Sequence, residues 1–136
     1  MIVLDTHALI WAVRDDRNLG QNARAIINDA TRTTGLIVPA FCAWEIAQIK
    51  RRQNLTFEGG VLAWFRRILA EPGFRLSPLV PEIAVGSVML DWQHKDAADR
   101  IMVATAQYHD MALLTADEPI LRYAADGNVK AIDARR

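Results

Sequence analysis

The spacing of short apolar runs constrains this chain most. Ile2-Val3-Leu4, Leu36-Ile37-Val38, Phe74-Arg75-Leu76 and Ala112-Leu113-Leu114-Thr115 are each too short for a helix. Runs this short and rich in branched side chains read as strands, and the most apolar of them as strands buried on both faces. Between them lie segments with helical pattern, at 8–13, 22–31, 41–52, 61–70, 81–90, 97–108 and 119–124. Thr6 is the expected N-cap of the first, and Pro81 sits in the first turn of the fifth. Gly35, Pro39, Gly59-Gly60 and Pro72-Gly73 punctuate the series, and Val129 to Ile132 forms a last strand or edge segment. Strands alternating with helices predict an α/β fold, a parallel sheet with helices on both faces. The 136 residues suit one domain over 1–136, with no composition shift or repeat to mark a second.

Bulk properties exclude some classes. Sixteen basic residues balance sixteen acidic ones, which argues against a strongly basic nucleic-acid binder but leaves local patches open. No apolar run approaches the ~18 residues that span a bilayer. Met1 leads straight into the first strand, so no signal peptide is expected. The one cysteine, Cys42, is expected in the core, which fits a cytoplasmic setting.

In an open parallel sheet, ligand sites lie beyond the carboxyl ends of the strands. Asp5 follows the first strand directly and Asp117 follows the fourth by two residues. Asp117 also reads as the N-cap of the helix near Pro119. Glu45 lies four residues from both Phe41 and Ile49, so it interrupts an apolar stripe. Burying an unpaired carboxylate costs several kcal/mol or forces protonation, so a cation nearby is implied. Asp96 and Asp99 head the strongest helix, Asp96 as cap and Asp99 three residues on. Four acids at one rim repel, and hard divalent cations with oxygen ligands resolve the repulsion. His7, His94 and His109 are scattered without zinc spacing, and two or three of them read as surface or packing residues.

Four segments carry a family resemblance. Ile2 to Trp11 resembles the opening of PIN-domain toxins of type II toxin–antitoxin modules, the VapC-like group. Ala43-Trp44-Glu45-Ile46 resembles their second motif, His94 to Ile101 their third and Leu113 to Asp117 their fourth. The resemblance runs from Met1 to about Arg122. One departure is Ala97-Ala98, where many relatives carry proline and an aromatic residue. The resemblance implies a three-layer α/β/α fold with a mainly parallel sheet. It also implies a site for one or two Mg²⁺ or Mn²⁺ ions held by Asp5, Glu45, Asp99 and Asp117. Thr6 and Asp96 support that site.

The activity so implied is metal-assisted endoribonuclease hydrolysis. The pocket would be negative, so RNA must be gripped elsewhere. From Lys50 to Arg75 six basic residues face two acidic ones, with Lys50, Arg51, Arg52, Arg66 and Arg67 the candidates for phosphate contact and Arg75 beside them. A cognate antitoxin is expected, with one or two of the four tryptophans in a groove for it and a partner Arg in the acidic pocket. Assembly is expected as a homodimer or a toxin–antitoxin hetero-oligomer. Competing readings are a DNA- or structure-specific nuclease on the same fold and a catalytically silent interaction domain. A phospho-receiver module is disfavoured, because Thr6 follows Asp5 and no Asp follows Phe74-Arg75-Leu76.

Overall fold

The computed structural model describes residues 1–136. Five strands form the sheet: β1 (Ile2–Leu4), β2 (Leu36–Pro39), β3 (Phe74–Ser77), β4 (Ala112–Thr115) and β5 (Ala131–Asp133). The helices are α1 (Thr6–Arg14), α2 (Gln21–Arg32), α3 (Phe41–Gln53), α4 (Val61–Ala70), α5 (Pro81–Met89), α6 (Ala97–His109) and α7 (Glu118–Ala125). The sheet order is β3-β2-β1-β4-β5 and every pairing is parallel. This is the expected α/β/α arrangement.

Burial follows strand position. Every residue of β1 and β2 is buried, as are Leu113 to Thr115 of β4, while β3 and β5 at the edges are partly exposed. Val3, Leu4, Leu36, Val38, Leu113 and Leu114 lie with Leu9, Ile46, Met102 and Ile120 in one core. Fully burying such a side chain contributes about 2 kcal/mol. Cys42 is buried in the same core, as expected.

The chain winds from β1 outward to β2 and β3, then crosses back to β4 and β5. The winding therefore reverses between β1 and β4, and the crevice beyond their carboxyl ends is where such sheets bind ligands. Asp5 and Asp117 both leave their strands there.

Several boundaries differ from expectation. Asp5, not Thr6, caps α1: its carboxylate accepts from Thr6 N, and Thr6 is already helical. Strand β2 ends at Pro39, as expected. Strand β5 lies about two residues later than the apolar pattern suggested. At Gly20 an added Cβ would fall 2.0 Å from the Arg136 carbonyl carbon. That close approach lets Gly20 N donate to Ala134 O at 2.9 Å and Ala23 N to Arg136 O at 2.8 Å, which fixes residues 134–136 against α2.

Candidate active site

Asp5 is buried, and both of its carboxylate oxygens are hydrogen-bonded. Oδ1 accepts from Thr6 N at 2.7 Å and Oδ2 from Thr115 Oγ1 at 2.5 Å. The β1–β4 register pairs Leu4 with Leu114, so the next residues, Asp5 and Thr115, leave the sheet side by side. Thr115 Oγ1 also accepts from Asp117 N at 3.1 Å, which links the two acids through one hydroxyl. Asp117 caps α7, with Oδ1 accepting from Ile120 N at 3.1 Å. Its cap role and its place in the site coexist.

Glu45 projects from α3 and takes a hydrogen bond from Thr6 Oγ1 at 2.6 Å. Asp99 stands in the first turn of α6. Asp96 caps that helix through Asp99 N at 3.1 Å, while the Asp99 carboxylate turns to His94, with Oδ2 2.6 Å from Nε2. The cap is in place with Ala97-Ala98 as the first helical residues. Asp5, Glu45, Asp99 and Asp117 all line one cavity of about 540 Å³, together with Asp96, Glu118 and Arg135. A larger cavity of about 830 Å³, lined mainly by apolar groups between α6, α7 and β5, has Asp110 as its only acid, and Asp110 is paired with Lys130 at 3.2 Å.

Crowding and burial act on these acids together. Burial pushes the Asp5 carboxyl up; bonds from Thr115 and Thr6 oppose it, and Asp117 adds to it. Glu45 is pushed up to about 7, first by burial and then by Asp5, Asp99 and Asp96, against the bond from Thr6. Asp99 rises to about 6 by burial and by Asp117, Asp96 and Asp5, with His94 opposing. A divalent cation relieves all of these costs together. As the side chains stand, no three acidic or imidazole groups converge closely enough to enclose an ion unaided. Mg²⁺ keeps several waters and takes only one or two carboxylates directly. The carboxylate oxygens that dominate this lining therefore fit a hydrated hard cation, with Arg135 the one cationic side chain among them.

The expected basic residues separate. A groove of about 480 Å³ shares His7, Glu45 and Asp96 with the acidic cavity and continues along Phe41, Trp44, Gln48 and Arg52. Lys50, Arg51, Arg66, Arg67 and Arg75 line neither space. Arg67 Nη2 instead bonds Glu58 O, and Lys50 Nζ meets Asn54 Oδ1 at 3.3 Å. The tryptophans also divide. Trp64 is buried, Trp11 and Trp92 pack partly buried on the core, and Trp44 is 54% exposed. Trp92 lies in the α5–α6 connection rather than in a helix.

Thr115, His94 and Arg135 are among the residues at the site that the sequence alone does not single out. Thr115 was readable only from the β1–β4 register. His94, expected at the surface or in packing, instead meets Asp99 at 2.6 Å. Arg135 reaches the cavity mouth from beyond β5, held by Glu118 at 2.7 Å and Asp133 at 2.9 Å.

Comparison with known proteins gives three results. The family model described as PIN domain matches residues 2–126. The chain is 30% identical over 117 residues to Ribonuclease VapC22 of Mycobacterium tuberculosis, an overlap covering 85% of this chain and 86% of that one. Among solved structures, VapBC2 from Rickettsia felis bound to a DNA fragment from their promoter superposes with a TM-score of 0.66 at 9% identity, covering 97% of this chain and 98% of that one. A toxin–antitoxin complex from Klebsiella pneumoniae superposes with 0.60 at 18% identity, covering 98% of each chain.

Proposed function

The chain belongs to the PIN-domain family, and from that premise we propose that it is a metal-dependent endoribonuclease acting as the toxin of a type II toxin–antitoxin pair. The observation that carries the proposal is the single cavity lined by Asp5, Glu45, Asp99 and Asp117 at the reversal point of the sheet. Residues 1–136 act as one nuclease domain in this reading.

Asp5, Glu45, Asp99 and Asp117 hold one or two Mg²⁺ or Mn²⁺ ions. Such an ion supplies Lewis acidity, lowering the pKa of water and offsetting charge on the phosphodiester. The chain's own residues supply position. Thr6 N and Thr115 Oγ1 fix both oxygens of Asp5. Thr6 Oγ1 fixes Glu45, so the second hydroxyl of the site restrains a second acid. Asp96 acts through the start of α6 by holding Asp99 N. Water is the nucleophile, and the products carry 5′-phosphate and 3′-hydroxyl ends.

RNA enters along the groove that continues from the acids. Arg52 meets phosphate there, and exposed Trp44, stacked on Phe41 at 5.0 Å, offers a face to a base. Lys50, Arg51, Arg66 and Arg67 add a more distant positive field.

The toxin role, with an antitoxin as partner, is supported by the VapC-like motifs and by the Klebsiella pneumoniae neighbour, which is a toxin–antitoxin complex. An antitoxin Arg entering the acidic cavity would compete with the cation for the same oxygens. No helix is long and apolar enough to cross a membrane. As a toxin the protein would act on RNA in the cytoplasm, as a homodimer or with its antitoxin.

The test is cleavage of single-stranded RNA and DNA by purified protein in chelator, Mg²⁺ and Mn²⁺. RNA cleavage restored only by the metals is expected. Cleavage in excess chelator overturns the mechanism. Cleavage of DNA alone transfers the chain to the DNA-directed reading, and metal-replete silence to the interaction-domain reading. Expression alone and with the neighbouring small reading frame tests the toxin role, and a harmless chain overturns it.

A further inference from the structure

Arg100 follows Asp99 in α6 and uses every donor it has on one stretch of backbone. Nε donates to Ser87 O at 2.8 Å. Nη1 donates to Trp92 O at 2.6 Å and His94 O at 2.9 Å. Nη2 donates to Val88 O at 3.1 Å and Leu90 O at 3.0 Å. A guanidinium has five N–H groups, and all five are engaged. The carbonyls belong to the end of α5 and to the α5–α6 connection, which has little hydrogen bonding of its own beyond Trp92 N to Leu90 O.

That connection carries His94. Its ring lies 4.7 Å from Trp92, and Trp92 stacks on Tyr123 of α7 at 4.4 Å and 14°. Tyr123 Oη donates to Asp91 O at 3.3 Å, closing the arrangement onto the same connection. His94 is thus held through its backbone carbonyl by Arg100 and through its ring by the Trp92–Tyr123 stack. Its Nε2 lies 2.6 Å from Asp99 Oδ2, and an ionised carboxylate there can only accept, so the tautomer protonated at Nε2 fits the contact.

We infer that His94 and Arg100 are positioning residues for Asp99: Arg100 folds the α5–α6 connection over the start of α6, and His94 fixes one carboxylate oxygen, so that Asp99 would meet the cation with its rotamer already restrained. This rests on the metal-site reading above. A carboxylate restrained by an outer partner loses less rotamer freedom on binding an ion, and losing such a partner costs about 10–100-fold in metal affinity. A merely structural role for the pair would alter melting and leave the ion alone.

The experiment measures Mn²⁺ binding to full-length protein by electron paramagnetic resonance of the free ion, which needs no catalysis. His94→Ala is expected to weaken binding about 10–100-fold, and His94→Gln, whose amide can reach the same oxygen, to stay within about threefold of wild type. Arg100→Lys, with three donors in place of a planar five, is expected to weaken it as well. If Arg100→Lys fails to fold, the two His94 variants decide. Wild-type affinity in His94→Ala, or Gln no better than Ala, overturns the role assigned to His94. Wild-type protein that binds no Mn²⁺ overturns this role and the four-carboxylate reading together.

Discussion

Metal-free protein should lose stability as pH rises from 4.5 to 7, and Glu45 should account for much of the loss. An unfolded glutamate gives up its proton near 4.5, whereas burial and the neighbouring acids hold Glu45 near 7 in the fold. Between those values the native state holds more protons than the unfolded one. Stability then falls with rising pH, and the full penalty is present above 7. At complete burial that displacement corresponds to roughly 3 kcal/mol. Glu45 is only half-buried, and solvent screening reduces this to about 1–2 kcal/mol. Asp99 is displaced in the same direction and is coupled to Glu45, so the two penalties belong to the pair and do not add.

Glu45→Gln isolates the effect. The Gln carbonyl still accepts from Thr6 Oγ1, so geometry is kept and charge is lost. For a chain this long, 1 kcal/mol moves Tm by about 3–4 °C. In EDTA at pH 8, Glu45→Gln should therefore melt roughly 3–8 °C above wild type, and the gap should close towards pH 4.5. His109, whose pKa burial lowers, pushes the other way near pH 6, but it is common to both proteins and cancels in the difference. Saturating Mg²⁺ should reverse the order, because only the wild type keeps the full carboxylate set. Equal melting at pH 8 in EDTA, or a gap that widens towards acid, would refute the reasoning.

Asp99→Asn should cut the RNA cleavage rate at least ~10²-fold while Asp96→Asn stays mild, since Asn caps helices as well as Asp; the reverse order in a rate assay means the wrong member of the pair was assigned. Thr115→Val removes the donor to Asp5 Oδ2 and the acceptor of Asp117 N, and should cost about 1–3 kcal/mol in metal-free thermal melts. Unchanged melting would mean water replaces the hydroxyl. End-labelling of RNA fragments should reveal 5′-phosphates and 3′-hydroxyls, whereas cyclic 3′ phosphates would rule out attack by water.

Much of the frame was legible because it depends on local pattern. The apolar runs at β1, β2 and β4 stand out, since central parallel strands are apolar on both faces. The edge strand β5, with no residue fully buried, offers no such contrast, and it begins two residues beyond the start of the apolar run at Val129. Asp5 and Asp117 were legible because a strand exit is a sequence-local event. The basic candidates other than Arg52 lie away from the groove for the opposite reason. Closeness along Lys50 to Arg75 crosses from α3 through α4 to β3, whereas the groove follows one helical face. Glu45, Gln48, Ile49 and Arg52 stand at i, i+3, i+4 and i+7 on α3, and that spacing alone would have singled out Arg52.

The supports of the acids were harder to read, and the reason is chemical. A carboxylate interrupting an apolar stripe has a visible cost, so its residue type marks it. Thr115 becomes informative only when β4 is known to lie beside β1, a pairing between strands 110 residues apart. Arg135 needs β5 placed next to β4 before Glu118 and Asp133 can hold it at the cavity. Arg100 is the limiting case. Its five partners are backbone carbonyls of residues 87 to 94, and a carbonyl is the same whichever residue carries it. An arginine organised in this way leaves no complementary residue type for a reader of the sequence to find. It becomes visible only when the α5–α6 connection is seen folded around it, and with it the route by which that connection delivers His94 to Asp99.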